Sequence, residues 1–220
     1  MTRRDLGGIE PIIVVASLQQ SRGRSAPTQA SVAQIHDLYE QAVQDPAGEV
    51  RFVSNKFKSL RGRHAVTMRE DFGGTGIFSL AWARSRRDRV AHSVDLDGET
   101  QAWGAAHRVA KSPAQVRERV RFERANVLDG VGGPVDVAVA FNFSYWIFKT
   151  RVELRRYFEV VRSNLGPEGV LFLDAFGGLD VPQIDENRVE HEDFTYVWRQ
   201  RDYDVLSHDF ECGISFEFDD

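Results

Sequence analysis

Cysteine, lysine and long apolar runs are scarce in this chain of 220 residues. The single cysteine, Cys212, excludes an intrachain disulfide framework and any cysteine-rich zinc site; it fits a reducing compartment, so a cytoplasmic location is expected. The longest strongly apolar stretch, Ile12 to Ala16, falls far short of the roughly 18 to 20 residues that cross a bilayer, and no credible cleavage site follows it. A soluble chain with no membrane partner is expected. The net charge is −5, so no global positive field draws the chain to nucleic acid, which argues against a nucleic-acid partner. The cations are overwhelmingly arginine, and Arg61, Arg63, Arg84, Arg86, Arg87 and Arg89 could gather into a local basic face or lie on solvated surfaces.

What is present suits one ordinary domain with extensions. Hydrophobic residues make up 42 % and charged residues 28 %, enough to bury a core and solvate a surface. Met1 to about Pro27 shows no sustained period and reads as a flexible extension. Thr28 to Gln44 carries apolar residues at helical spacing until Pro46 and Gly48, predicting an amphipathic helix. A linker with Phe52 and Phe57 then leads to the core, so residues 28–64 read as a leading helix and linker that could serve as a lid over a cofactor.

From residue 65 onward short apolar runs alternate with helix-like segments. Ala65 to Met68, Val90 to Val94, Val120 to Phe122, Val135 to Phe141 and Val170 to Phe176 predict five strands, with helices starting near Gly76, Gly98 and Arg151 and the last one stopping at the "GPEG" that begins at Gly166. Alternation of strand and helix predicts an α/β fold: a doubly wound, mostly parallel, Rossmann-like sheet between two helical layers. Only about nine residues separate Asn126 from Asp136. In a strand order of 3-2-1-4 that link must cover roughly 22 Å, which nine extended residues, reaching about 30 Å, can do. The tail from about residue 190 reads as two alternating segments, an antiparallel hairpin.

The strongest chemical signal is "VTMREDFGGTGIFSLAWA", Val66 to Ala83: strand, acidic residue, glycine-rich turn, apolar helix. Such a turn lets the amides at a helix start approach a ligand, or answers only its own geometry. Asp95 follows at the end of the next strand, 19 residues after Gly76, where an acid can accept both ribose hydroxyls of an adenosine-containing ligand. Asp97 reads as a helix cap. Asn126 beside the Val127 amide suits an adenine edge, the side chain accepting from the exocyclic amine and the amide donating to a ring nitrogen, or a turn capped by Asp129. The fourth strand ends in "AFNFSYWIF", placing Asn142, Ser144 and Tyr145 at the same edge.

In this order these motifs resemble class I S-adenosylmethionine-dependent methyltransferases, more narrowly a bacterial-type subgroup with "REDF-x-GT" in the glycine turn and "NFSY" after the fourth strand. The likeness runs from about Thr28 to Phe176. It implies S-adenosyl-L-methionine as cofactor, Glu70 holding its ammonium, Asp95 its ribose, and Asn126 with Val127 its adenine. The implied cofactor-facing stretch is Glu70, Phe72, Gly73, Gly74, Thr75 and Gly76, then Asp95 and Leu96, Asn126 and Val127, and Asn142. Phe72 departs from the pattern, standing where the family has its first glycine. A nicotinamide dinucleotide is the rival cofactor, but its fingerprint wants a glycine where Ser79 stands.

Methyl transfer requires alignment more than a metal, and the scattered histidines show no metal site. Phe57, Ser144, Tyr145 and Asp174 are the expected acceptor-side residues, with Tyr145 and Asp174 the candidate bases. The expected acceptor is a small molecule. The complete family fold adds a further helix and two strands that this tail does not show. A partner chain could complete the sheet edge, and a noncatalytic cofactor-binding module, or one half of a heteromer, stays open as an alternative.

Overall fold

The computed structural model describes residues 17–18, 34–179 and 181–218, so the expected extension over Met1 to Pro27 lies outside the described residues except for Ser17–Leu18. The chain divides into two compact units, residues 45–175, and residues 1–44 together with 176–220. Numbered along the chain, the smaller unit begins with β1 (Ser17–Leu18) and α1 (Ile35–Val43). The larger unit then runs α2 (Pro46–Arg61), β2 (Thr67–Asp71), α3 (Ile77–Ser85), β3 (Val90–Asp95), α4 (Gly98–Gly104), α5 (Ala114–Arg117), β4 (Val120–Arg124), β5 (Val135–Ala140), α6 (Arg151–Asn164) and β6 (Leu165–Leu173). The chain returns to the smaller unit with β7 (Glu186–Glu190), β8 (Thr195–Tyr203) and β9 (Phe210–Glu217).

The five strands of the larger unit are all parallel, in the order β4-β3-β2-β5-β6. This is the doubly wound arrangement expected from the alternation, and its order reverses between β2 and β5, where such sheets open a crevice at their carboxyl ends. Side-chain alternation along β5 builds both layers at once. Val137 and Val139 join Val53, Phe57, Met68 and Trp82 on the face covered by α2 and α3, while Ala138 and Ala140 join Val94, Tyr157 and Val161 under α6. The short link after β4 is a 3₁₀ turn, Val127–Asp129, followed by a glycine-rich stretch to Pro134.

Three expectations need correction. Residues 46–61 are not a linker but a full helix. Pro46 sits in its first turn, where proline needs no hydrogen bond; Asp45 accepts from the Gly48 amide at 3.0 Å, and Gly62, at φ +70°, ends it. The "GPEG" does not separate helix from strand: β6 starts at Leu165, paired with Val135, and a register shift absorbs the irregularity before Val170 pairs with Val137. Phe176 does not close the last parallel strand; it belongs to the smaller unit, 5.5 Å from the Trp198 ring and 5.9 Å from Phe210.

The tail's two alternating segments form β8 and β9, paired antiparallel, in a separate four-stranded sheet of order β1-β9-β8-β7. Its core gathers Phe194, Ile214 and Phe216 with Leu38 of α1. Among the described residues no strand pairs with the outer edge of β6, and no helix is long and apolar enough to cross a membrane.

Candidate functional site

The carboxyl ends of β2, β3, β4 and β5 bring the glycine turn, Asp95, Asn126 and Asn142 to one edge of the larger unit. The turn after β2 is held to β3 by the Gly73 amide, which donates to the Val94 carbonyl at 3.0 Å. Gly76 lies at φ +73°, and a Cβ there would come within 2.3 Å of the Phe122 ring, so both conformation and space demand glycine. Thr75 is buried. Phe72 also adopts a left-handed conformation, φ +59°. A bulky residue in that region stores strain, compensated here by ring packing at 6.1 Å from Tyr157 and 6.3 Å from Phe148.

Glu70 points to the α3 side, where Ser79 donates to its Oε2 through the backbone amide at 3.1 Å and through the hydroxyl. Burial pushes the Glu70 carboxyl up to about 8, against the pull of the two Ser79 hydrogen bonds, with Glu49 and Asp95 adding to the rise. Ser93, paired with Glu70 across the sheet, has a buried hydroxyl without a partner among the described residues. Asp95 accepts from the Gly74 amide at 2.7 Å with Oδ2 and from the Asp97 amide at 2.8 Å with Oδ1. Each oxygen therefore keeps a lone pair for a further donor. Leu96 is exposed, and Asp97 caps α4 by accepting from Glu99 and Thr100.

The Ala125 amide donates to the Asp95 carbonyl at 3.0 Å, joining the ends of β3 and β4. Asn126 is exposed, and its Oδ1 accepts from the Leu128 amide at 2.9 Å while Asp129 accepts from the Asn126 amide, a reciprocal cap of the turn that carries Val127. The adenine and turn readings of Asn126 thus share one residue.

Asp174, just beyond β6, accepts from the amides of Asn142 and Phe143, each at 2.7 Å. Those two residues have φ of +54° and +43°, so the carboxylate anchors a strained turn at the end of β5. The Ser144 hydroxyl donates to the Phe141 carbonyl at 2.8 Å, and the Tyr145 ring lies 6.4 Å from those of Trp146 and Phe158. Phe57 does not reach this edge: it is fully buried in the core beneath α2, because positions 53 and 57 share the helix face that packs on the sheet. The acceptor-side expectation for Phe57 is therefore withdrawn.

Several residues at or beneath the edge were given no role by the sequence motifs, although Arg69 and Asp71 lie within "REDF-x-GT". Glu49, in the first turn of α2, is half-buried, and burial followed by Asp45 and Asp174 pushes its carboxyl up to about 7. Arg69 and Asp71 form a buried ion pair at 2.7 Å, and the Tyr157 hydroxyl donates to Asp71 at 2.9 Å. Burial raises Asp71 against the pull of Arg69 and Tyr157, and burial raises Tyr157 still further from its ordinary value. Of the arginines that could have formed a basic face, Arg61, Arg63 and Arg86 bond to Glu168, Asp136 or Asp88. Arg89 is buried 3.7 Å over the Trp82 ring. Among the described residues no group of three or more His, Cys, Asp or Glu could hold a metal ion.

No protein-family model matches the chain, and no curated protein matches it. Solved structures do match. S-adenosylmethionine-bound CalS10, an amino pentose methyltransferase from Micromonospora echinaspora, superposes with a TM-score of 0.61 at 15 % identity over 84 % of this chain and 82 % of its own. A S-adenosylmethionine-dependent methyltransferase from Clostridium acetobutylicum gives 0.59 at 14 % identity over 83 % and 79 %. The sugar N-methyltransferase KedS8 from Streptoalloteichus gives 0.58 at 18 % identity over 91 % and 84 %. The chain shares the Rossmann-like fold of these methyltransferases.

Proposed function

We propose that this chain binds S-adenosyl-L-methionine and transfers its methyl group to a small-molecule acceptor. The observation that carries the reading is the convergence of a buried Glu70, held by Ser79, and a doubly held Asp95 on one glycine turn, at the point where the strand order reverses. The residues present fit the cofactor. Glu70 and the partnerless Ser93 hydroxyl offer a buried polar pocket for an ammonium, and Asp95 keeps acceptor capacity for ribose hydroxyls. The bound cofactor supplies an activated methyl group on a sulfonium.

The chain's own work is then to bind and align. Glu70, whose pKa burial raises to about 8, would hold the ammonium and would ionise with that cation beside it. Asp95 takes the ribose, the Val127 amide donates to adenine, and Asn126 accepts from its exocyclic amine. Asn142, Phe72, Thr75 and Leu96 border the cofactor along the two turns. The acidic edge of Glu49, Glu70, Asp95 and Asp174 favours a cationic ligand. Ser144 and Tyr145 face the acceptor side, where Asp174 keeps their turn in place. Amino sugars are the first acceptor class to test, because CalS10 and KedS8 are described as sugar methyltransferases.

The test is a titration of the full chain with S-adenosylhomocysteine and, separately, NADH, followed by turnover with S-adenosylmethionine and a panel of amino sugars and other small amines and alcohols. Binding of the first ligand with indifference to NADH, followed by methyl transfer, supports the reading. Tight NADH binding alone defeats it. Binding without any turnover leaves the noncatalytic module, which is in keeping with an outer edge of β6 that pairs with no strand among the described residues.

A further inference from the structure

Three polar side chains that the proposed chemistry does not use lie sealed between β2 and α6. Arg69 and Asp71 are each 1 % exposed and Tyr157 is fully buried. Alternation along β2 sends Arg69 and Asp71 to the face opposite Glu70. Arg69 Nε donates to Asp71 Oδ1 and its Nη2 donates to the Val127 carbonyl, both at 2.7 Å, while Tyr157 secures the second Asp71 oxygen at 2.9 Å. Arg69 Nη1 is buried without a partner among the described residues. An ion pair so deeply buried is a poor device for stability, since desolvation offsets much of its attraction and apolar side chains of similar volume often pack as well. What the arrangement does supply is a fixed geometry.

That geometry ends on a residue of the candidate site. The Asn126–Asp129 cap constrains the turn from its start, and Arg69 grips the carbonyl of Val127 inside it. The Asn126 carbonyl, which shares a rigid peptide plane with the Val127 N–H, accepts from the Asp129 amide at 2.8 Å, and Arg69 holds the next plane through the Val127 carbonyl, so the Val127 N–H is constrained from both sides. Asp71 in turn precedes Phe72, whose ring packs on Tyr157. One buried cluster thus ties the turn after β2 to the turn after β4.

We infer that Arg69 is a positioning residue for purine recognition: oriented by Asp71 and Tyr157, its guanidinium holds Val127 so that the Val127 N–H meets the ring nitrogen of adenine. The inference rests on the cofactor reading above and adds a source of specificity to it. Adenine N1 accepts a hydrogen bond, whereas N1 of a 6-oxopurine carries a hydrogen and opposes a donor fixed in front of it. Discrimination between the two bases therefore depends on how rigidly the Val127 N–H is aimed.

The test uses the full chain and two probes, S-adenosylhomocysteine and its 6-oxopurine counterpart S-inosylhomocysteine, titrated by calorimetry, with thermal melting recorded in parallel. Wild type is expected to prefer the adenosyl ligand. Arg69→Lys keeps the charge but cannot bridge Asp71 and Val127 with one fork, and is expected to narrow the preference by about tenfold, mostly through weaker adenosyl binding. Tyr157→Phe, which removes a single oxygen, is expected to narrow it in the same direction by about threefold. If Arg69→Lys does not fold, Tyr157→Phe decides. A lower melting temperature with an unchanged preference is what a merely structural cluster would give, and it overturns the inference. A wild type that binds the adenosyl ligand without preference also overturns it alone, whereas a wild type that binds neither probe overturns the cofactor reading and the inference together.

Discussion

Asp95 and Glu70 carry the most direct consequences of single side chains. Replacing Asp95 with alanine is expected to weaken S-adenosylmethionine binding by about 1 to 3 kcal/mol through loss of its hydrogen bonds; an unchanged affinity by calorimetry removes Asp95 from the site. Glu70 imposes a pH dependence whose sign is the reverse of the usual salt-bridged acid. Its folded pKa, about 8, lies above the ordinary 4.5, so between those values the folded chain keeps a proton that the unfolded chain has released. Its contribution to stability is therefore complete below pH 4.5 and is lost as pH rises through 8. Without ligand, Glu70→Gln is expected to gain on wild type as pH rises from 5 to 8 in melting experiments, and a pH-independent gap between the two would remove the buried acid from the account. Asp95 and the glycine turn were legible because spacing along one chain carries them. The Arg69, Asp71 and Tyr157 cluster was not, since it joins residues 86 positions apart and leaves no period, and Ser79 was visible only as a missing glycine.

Helix α2 shows how a local signal can be read in either direction. Pro46 and Gly48 resemble a stop after α1, yet proline is equally at home in the first turn of the next helix, and Asp45 supplies the cap. Val53 and Phe57, four apart, were the overlooked sign that residues 46–61 bury a face. Phe57→Ala is accordingly expected to destabilise the chain by about 3 to 5 kcal/mol in denaturant titration; a loss below about 1 kcal/mol would return that segment to the status of a linker. Strand β7 was illegible for a different reason. Every one of its residues is exposed, so no apolar alternation marks it, and its pairing with β8 alone defines it.

At the scale of the whole molecule, the five parallel strands followed from alternating periods, whereas their order entered only as a condition on the link after the third strand and the partition into two units was not foreseen. Nothing in the composition near residue 176 distinguishes a strand that continues the parallel sheet from chain that enters a second one. All cofactor-facing candidates belong to residues 45–175. Limited proteolysis is expected to cut first in the exposed, irregular stretch 177–179, and the nicked protein is expected to keep its affinity for S-adenosylhomocysteine; loss of binding on cleavage would show that the smaller unit contributes to the site. The double grip of Asp95 on the Gly74 and Asp97 amides has a dynamic corollary. Those two protons should exchange with deuterated solvent slowly and in step before any ligand arrives, and both should speed up together in Asp95→Ala, because a single carboxylate latches the loops that follow β2 and β3.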